Sequence, residues 1–202
     1  MFTATTQNPT VSNLAANGYT YNLTITNAAG CTATASVTVT VAASPVITAS
    51  ASTTSICVGQ SVSLSTTNTG SYSWGGSGSF TTSLQNPTVT GLSAGTHTFS
   101  VTVTTTPGCV GSTTVSVVVN ALPTPTATAI PSQLCVGGII MLTGSGGSSY
   151  SWSGPNGFTA SSATPPVSVT STAFAGAYTL SVTNAAGCTA TAVTGNVVVN
   201  PA

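Results

Sequence analysis

Apolar and polar residues alternate with a period of two along most of this chain. Val62 and Leu64 alternate with Ser61, Ser63 and Ser65, and Tyr72 and Trp74 alternate with Ser71 and Ser73. His97, Phe99, Val101 and Val103 alternate with Thr98, Ser100, Thr102 and Thr104. Val115, Val117 and Val119 make a last run. Residues two apart on a strand share a face, so each run predicts a strand with one buried face and one wet face. Shorter strands are predicted at Phe80 and Thr82, at Pro87-Thr88-Val89, and near Val46 and Thr48. Gly75-Gly76-Ser77-Gly78 and Thr106-Pro107-Gly108-Cys109 are turn sequences.

The pattern repeats. Gln7-Asn8-Pro9-Thr10-Val11 returns as Gln85-Asn86-Pro87-Thr88-Val89, an offset of 78. Phe2, Phe80 and Phe158 keep that offset, as do the pairs Cys57 and Cys135, Cys31 and Cys109, and Trp74 and Trp152. Asn27-Ala28-Ala29-Gly30-Cys31 returns as Asn184-Ala185-Ala186-Gly187-Cys188. Two full units are expected at 45–121 and 122–202, preceded by a stretch, 1–44, that matches only the second half of a unit. Ala43-Ser44-Pro45 and Asn120-Ala121-Leu122-Pro123 are short, proline-stiffened joints, and Asn200-Pro201-Ala202 resembles another. Met1 stands where the later units carry Ser79 and Gly157, so the chain is expected to begin in mid-unit, as a piece of a longer array. Seven strands per unit, with turns every 8–12 residues or about that, predict an all-β fold of tandem immunoglobulin-like sandwiches.

Composition strengthens the all-β expectation. The 202 residues include no Lys, Arg, Asp or Glu, so good helix formers are scarce while Thr and Val abound. A chain without cations cannot neutralise phosphates, which argues against nucleic-acid binding, and it offers no basic patch to anionic lipid. His97 is the only side chain of a type that titrates near neutrality. No apolar run approaches the roughly 20 residues of a membrane helix, and Met1-Phe2-Thr3-Ala4 lacks the basic start of a signal peptide.

Cys57 precedes Trp74 by 17 residues and Cys109 follows it by 35; Cys135, Trp152 and Cys188 repeat this at 17 and 36. Cys57 sits before the second strand and Cys109 in the last hairpin loop. The expected bonds are therefore Cys57–Cys109 and Cys135–Cys188, each pinning two loops at one end of a sandwich. Closing a loop of about 52 residues stabilises by roughly 4 kcal/mol on the chain-entropy model. Cys31 is then left as an unpaired thiol. A zinc site is a poorer fit, with no Cys-x-x-Cys and one His.

Three strings carry a family resemblance: Ser55-Ile56-Cys57-Val58-Gly59-Gln60-Ser61-Val62-Ser63-Leu64, Tyr150-Ser151-Trp152-Ser153-Gly154-Pro155-Asn156-Gly157-Phe158, and Gly176-Ala177-Tyr178 through Gly187-Cys188. They resemble the Ig-like and PKD-like repeats of very large secreted surface proteins of Bacteroidetes, including gliding adhesins. The W-D-F-G-D-G type motif of PKD domains is absent, which favours the Ig-like label. The resemblance implies extracellular display through a dedicated secretion system, whose sorting domain is not in this segment.

Candidate chemistry is sparse. General acid–base catalysis needs His or a carboxylate, and the chain has one His and no carboxylate. His97 aligns with Tyr178 and Tyr21 and is expected to fill a tyrosine-corner position, bonded to backbone, in a core with Trp74, Trp152, Tyr72, Tyr150 and Tyr178. The missing carboxylates argue against calcium ligation. No catalytic residue, cofactor or metal is expected. Asn22-Leu23-Thr24 is a glycosylation sequon. Thr34, Ser36, Thr38 and Thr40 line one strand face, and Thr98, Ser100, Thr102 and Thr104 another. Such rows suit ice or a surface polysaccharide, though Thr is also an ordinary wet-face strand residue. The expected function is a structural or adhesive extracellular stalk or coat segment. Its partners are neighbouring repeats, other copies of itself, or surface polymers. The alternatives are a fibre subunit, favoured by strand edges without blocking charges, and an ice- or polysaccharide-binding module.

Overall fold

The computed structural model describes residues 2–106 and 108–202. Met1, the expected mid-unit start, and Pro107, in the expected hairpin loop, lie outside the described residues. The chain is all-β, and among the described residues its helical pieces are single 3-10 turns at Ser77–Ser79, Pro155–Gly157 and Thr172–Phe174. It packs as two compact units, each drawn from several segments. One holds the chain up to Ser50, Leu64–Pro87 and Thr98–Val115; the other holds Ala51–Ser63, Thr88–His97 and Ser116–Ala202.

The second unit contains an immunoglobulin-like sandwich. Strands Thr126–Ile130, Ile139–Ser145 and Pro166–Ser168 form one antiparallel sheet in that order. Thr159–Ala160, Ser149–Ser153, Thr179–Thr183 and Thr189–Val193 form the other. Gln133–Cys135, which follows the first strand, runs parallel to the last strand, Val198–Asn200. Ile140 and Leu142 from the first sheet and Trp152, Leu180 and Val182 from the second bury their side chains together with Val167, Val169 and Tyr178. Each such side chain contributes roughly 1.5–3 kcal/mol by leaving water. The intervening Ser and Thr residues take the outer face, so the period of two becomes an inside and an outside. Trp152 Nε1–H donates to Ser162 O at 3.0 Å, and the Tyr178 ring meets Phe158 edge-on at 5.6 Å. A Cβ on Gly154 would run into the Tyr178 ring, so this position stays small.

The first unit repeats part of this arrangement. Strand Ser71–Gly76 lies between Phe80–Thr82 and Gly95–Thr104. Trp74 is buried, with Nε1–H donating to Gln85 O at 3.3 Å, and Phe99 meets Phe80 edge-on at 5.5 Å. Strands Asn17–Thr26 and Thr32–Val41 form a hairpin paired along its full length. Its apolar residues stay wet, with Leu23 57% and Val37 60% exposed.

Three local expectations change. Val46 and Thr48 form no strand; the Asn68 side chain holds this segment instead, accepting from Thr48 N at 3.0 Å and donating to Val46 O at 2.8 Å. The first strand falls later, at Ser50–Ala51. Gly75 and Gly76 end a strand rather than open a turn, and the 3-10 turn begins at Ser77. Tyr72, Tyr150 and His97 are half-buried rather than core, because their polar ends reach backbone near the surface. Tyr72 donates to Asn68 O at 2.8 Å and Tyr150 to Gly147 O at 2.9 Å.

Candidate functional site

The distinctive chemistry of the chain is its cysteines. In the second unit, strand Ser55–Cys57 runs parallel to Val118–Asn120, with Cys57 opposite Asn120. Asn120 locks this pairing through its side chain, donating to Ser55 Oγ at 2.7 Å and Ile56 O at 3.1 Å. Val58 N–H adds a bond to Asn120 O at 2.9 Å. Cys57 therefore sits where the strand ending at Asn120 gives way to Ala121.

The loop Asn184–Cys188 meets it there. Asn184 Oδ1 accepts from the Ala186 and Cys188 amides, both at 3.0 Å, and its Nδ2 donates to Ala121 O at 2.9 Å. Gly187 takes a left-handed φ of 82°, the conformation that a tight loop assigns to glycine. Cys188 is buried and bonded to Cys57, with Cα atoms 5.7 Å apart and a sequence separation of 131.

This connectivity corrects the expected Cys57–Cys109 and Cys135–Cys188 bonds. Cys57 faces the chain exit at Asn120–Ala121, and the Asn184 amide brings the loop of Cys188 to that exit. Cys109 is a half-buried free thiol, Cys135 an exposed one, and Cys31 is free and exposed. On the chain-entropy model a closed loop of this length is worth about 5 kcal/mol.

His97 Nε2–H donates to Ser93 O at 2.8 Å, four residues upstream. Tyr178 makes the same reach to Phe174 O and Tyr19 to Ala15 O, both at 2.9 Å. The hairpin counterpart of His97 is therefore Tyr19, not Tyr21, which stacks on Tyr19 at 6.5 Å. His97 Nδ1 is buried without a hydrogen-bond partner among the described residues. No Asp or Glu is present to pair with this ring, and the Ser93 carbonyl fixes its orientation. Burial raises the Tyr178 phenol above its ordinary pKa. No cluster of three metal-ligating side chains occurs among the described residues.

The Thr and Ser rows do form hydroxyl faces. On the hairpin, Thr20, Asn22 and Thr24 lie opposite Thr38, Ser36 and Thr34, with Thr20 and Thr38 hydroxyls 3.2 Å apart. Asn22 of the sequon is exposed. In the second unit Ser149, Ser151 and Ser153 pair with Thr183, Ser181 and Thr179. In the first, Thr98, Ser100 and Thr104 are exposed and Thr102 half-buried. Hydrogen bonds within a hairpin satisfy part of this hydroxyl inventory without a ligand.

No family model matches the chain, and no curated protein matches it. Among solved structures, an Antarctic bacterium's Ca2+-stabilized adhesin, described as binding ice, is 18% identical at a TM-score of 0.42, over 92% of this chain and 57% of that one. A 1.5-MDa bacterial ice-binding adhesin is 17% identical at 0.41, over 92% and 74%. The amphioxus IgVJ-C2 molecule is 20% identical at 0.35, over 71% and 99%. The immunoglobulin-like fold here rests on the strand order itself. Among the described residues, no helix is long and apolar enough to cross a membrane.

Proposed function

We propose that this chain is a structural or adhesive extracellular module, a stalk or coat segment of a larger surface protein built from tandem units at 1–44, 45–121 and 122–202. The observation that carries this proposal is the Cys57–Cys188 bond, which ties distant parts of an uncharged β-protein together. Stable structural disulfides belong to oxidising surroundings outside the cytosol. The lack of Lys, Arg, Asp and Glu leaves no side chain for carboxylate acid–base catalysis, carboxylate metal ligation or cationic phosphate binding. The resemblance of Ser55–Leu64, Tyr150–Phe158 and Gly176–Cys188 to secreted Ig-like surface repeats points the same way.

A glycan array with an ice-shaping assay tests the proposal. A spacer binds no glycan selectively and leaves ice growth unaltered. Selective binding of one carbohydrate class, or faceted ice, would transfer the function to the hydroxyl faces around Thr34, Ser36, Thr38 and Thr40.

A further inference from the structure

We infer that the outer face of the sheet Thr126–Ile130, Ile139–Ser145 and Pro166–Ser168 is a lateral contact between two copies of this chain, centred on Met141. The inference goes beyond the stalk proposal, since a stalk that stands singly is still a stalk.

Met141 lies opposite Ile130 on one side and Pro166 on the other, so the three form a row across the sheet. Ile139, two residues before Met141, shares its face and lies opposite Ser168. Ile130 is 67% exposed, Ile139 55% and Met141 46%. The alternate residues Ile140 and Leu142 are buried, so the run Ile139–Leu142 supplies apolar side chains to both faces of one strand. Thr128 and Thr143, opposite each other, bound the row at one end and Ser168 at the other, and all three are exposed. An apolar centre inside a hydroxyl rim is the anatomy of a protein–protein contact.

The fold does not require this row. At an offset of 78, Ile130, Ile139, Met141 and Pro166 correspond to Ser52, Ser61, Ser63 and Thr88. Strands Ser50–Ala51, Val62–Ser65 and Thr88–Val89 form the corresponding sheet in the same order. Ser63 lies opposite Thr88 there as Met141 lies opposite Pro166, and Val62 opposite Val89 as Ile140 lies opposite Val167. The polar side chains satisfy one another. The Ser63 and Thr88 hydroxyls are 3.4 Å apart, and Ser52 Oγ accepts from Ser63 N–H at 3.2 Å. The core positions are apolar in both sheets, Val62 and Leu64 in one and Ile140 and Leu142 in the other. Only the outer faces differ: one closes its hydroxyls on itself, and the other holds large aliphatic side chains in water.

A second copy is the occupant that this surface fits. The chain has no charged side chain, so two copies meet without repulsion and a charged partner finds no counter-charge. A small apolar ligand needs a concave site, which the outer face of a sheet does not offer. Ile130, Ile139 and Met141 leave on the order of 300 Å² of apolar surface in water, the size at which exposed patches mark contacts. Doubled by a two-fold axis and widened by the hydroxyl rim, the buried area reaches roughly 1,000 Å², the lower bound of a specific interface. The contact is therefore weak and reversible. The same patch serves both copies, so it closes as a pair instead of growing into a fibre. The two sheets then stack about 10 Å apart, the spacing of layers within a sandwich.

The test is sedimentation equilibrium of the full chain, with its free thiols alkylated so that no disulfide links copies. The expected result is a reversible monomer–dimer equilibrium with a dissociation constant of roughly 100 μM. Ile130→Ser, Ile139→Ser and Met141→Ser combined should weaken it about tenfold or more. Circular dichroism of this variant should match the parent, since Ser52, Ser61 and Ser63 stand at the corresponding positions of the other sheet. Met141 gives a second readout without any substitution. Hydrogen peroxide should oxidise its sulfur about fivefold more slowly in the pair than in the monomer. A chain that stays monomeric at millimolar concentration, a dimer that the serine variant retains, or a dimer abolished instead by Leu23→Ser and Val37→Ser on the hairpin would overturn the inference. So would species that grow beyond dimer, unchanged oxidation of Met141, or adsorption to phosphatidylcholine vesicles with no dimer. None of these outcomes bears on the glycan and ice assays.

Discussion

The side-chain amide of Asn184 donates to the carbonyl of Ala121 at 2.9 Å, beside the disulfide that joins Cys57 to Cys188. One asparagine therefore both shapes the loop that presents Cys188 and fastens it to the chain where the disulfide closes. The same residue type at Asn27 folds the same loop without that fastening.

Replacing Asn184 by Ala removes an acceptor shared by two backbone amides and the donor to Ala121. The expected cost is about 1–2 kcal/mol. Hydrogen exchange at the Ala186 and Cys188 amides should accelerate. Asn184→Asp keeps the acceptor and loses the donor, so exchange at these amides should stay near the parent rate. Equal acceleration in both variants would mean that Oδ1 does not hold the loop.

Removing the bond should lower stability substantially. Cys188→Ala is expected to cost up to about 5 kcal/mol, the entropy of the loop that the bond closes. A thermal melt with and without reductant checks this. The parent should melt lower in reductant, and the variant should not respond. A reductant effect that survives in Cys188→Ala would place the stabilising bond elsewhere.

Which cysteines pair was not legible in the sequence, whereas the strands largely were. The alternation of Val62 and Leu64 with Ser63 marks the side chains that a sheet buries, and those residues are buried. Trp74 and Trp152 likewise lie in the core, because no surface position can wet a ring of that size at low cost. Cysteine spacing carries no such direction. A loop of 52 residues and one of 131 differ by only about 1 kcal/mol in closure entropy, so spacing cannot choose between them. The choice depends on where Asn120 ends its strand and on what Asn184 reaches, and both are properties of the assembled sandwich. The Val46 expectation failed for a related reason: Asn68, 22 residues on, captures that segment by side chain.

Gly154→Ala should destabilise although the backbone conformation there suits any residue. The added methyl meets the Tyr178 ring, which has no room to retreat in a filled core. Overpacking of this kind costs roughly 1–3 kcal/mol. Chemical denaturation of the variant measures it. A midpoint equal to the parent's would show that the ring can move aside.

The pH response should be one-sided. Tyr178 is held protonated by burial, its pKa raised above the ordinary phenol value. A group with a raised folded pKa lends stability that is present in full below its unfolded pKa and is lost as pH rises through the folded value. The contribution of Tyr178 should therefore be lost as pH rises above about 10, and Tyr178→Phe should reduce that loss. With no carboxylates, the acid limb common to most proteins should be missing. A pronounced loss of stability between pH 5 and 2, measured by melting temperature, would contradict this.

The position of the Cys57–Cys188 bond matters most when the molecule is pulled. A force applied through the chain ends reaches Cys57, crosses two sulfur atoms and leaves from Cys188. The 131-residue separation between them is bypassed, which withholds roughly 450 Å of contour at about 3.3–3.6 Å per residue. Strands inside that span can melt without lengthening the tether, and reducing one bond releases the hidden slack in a single step.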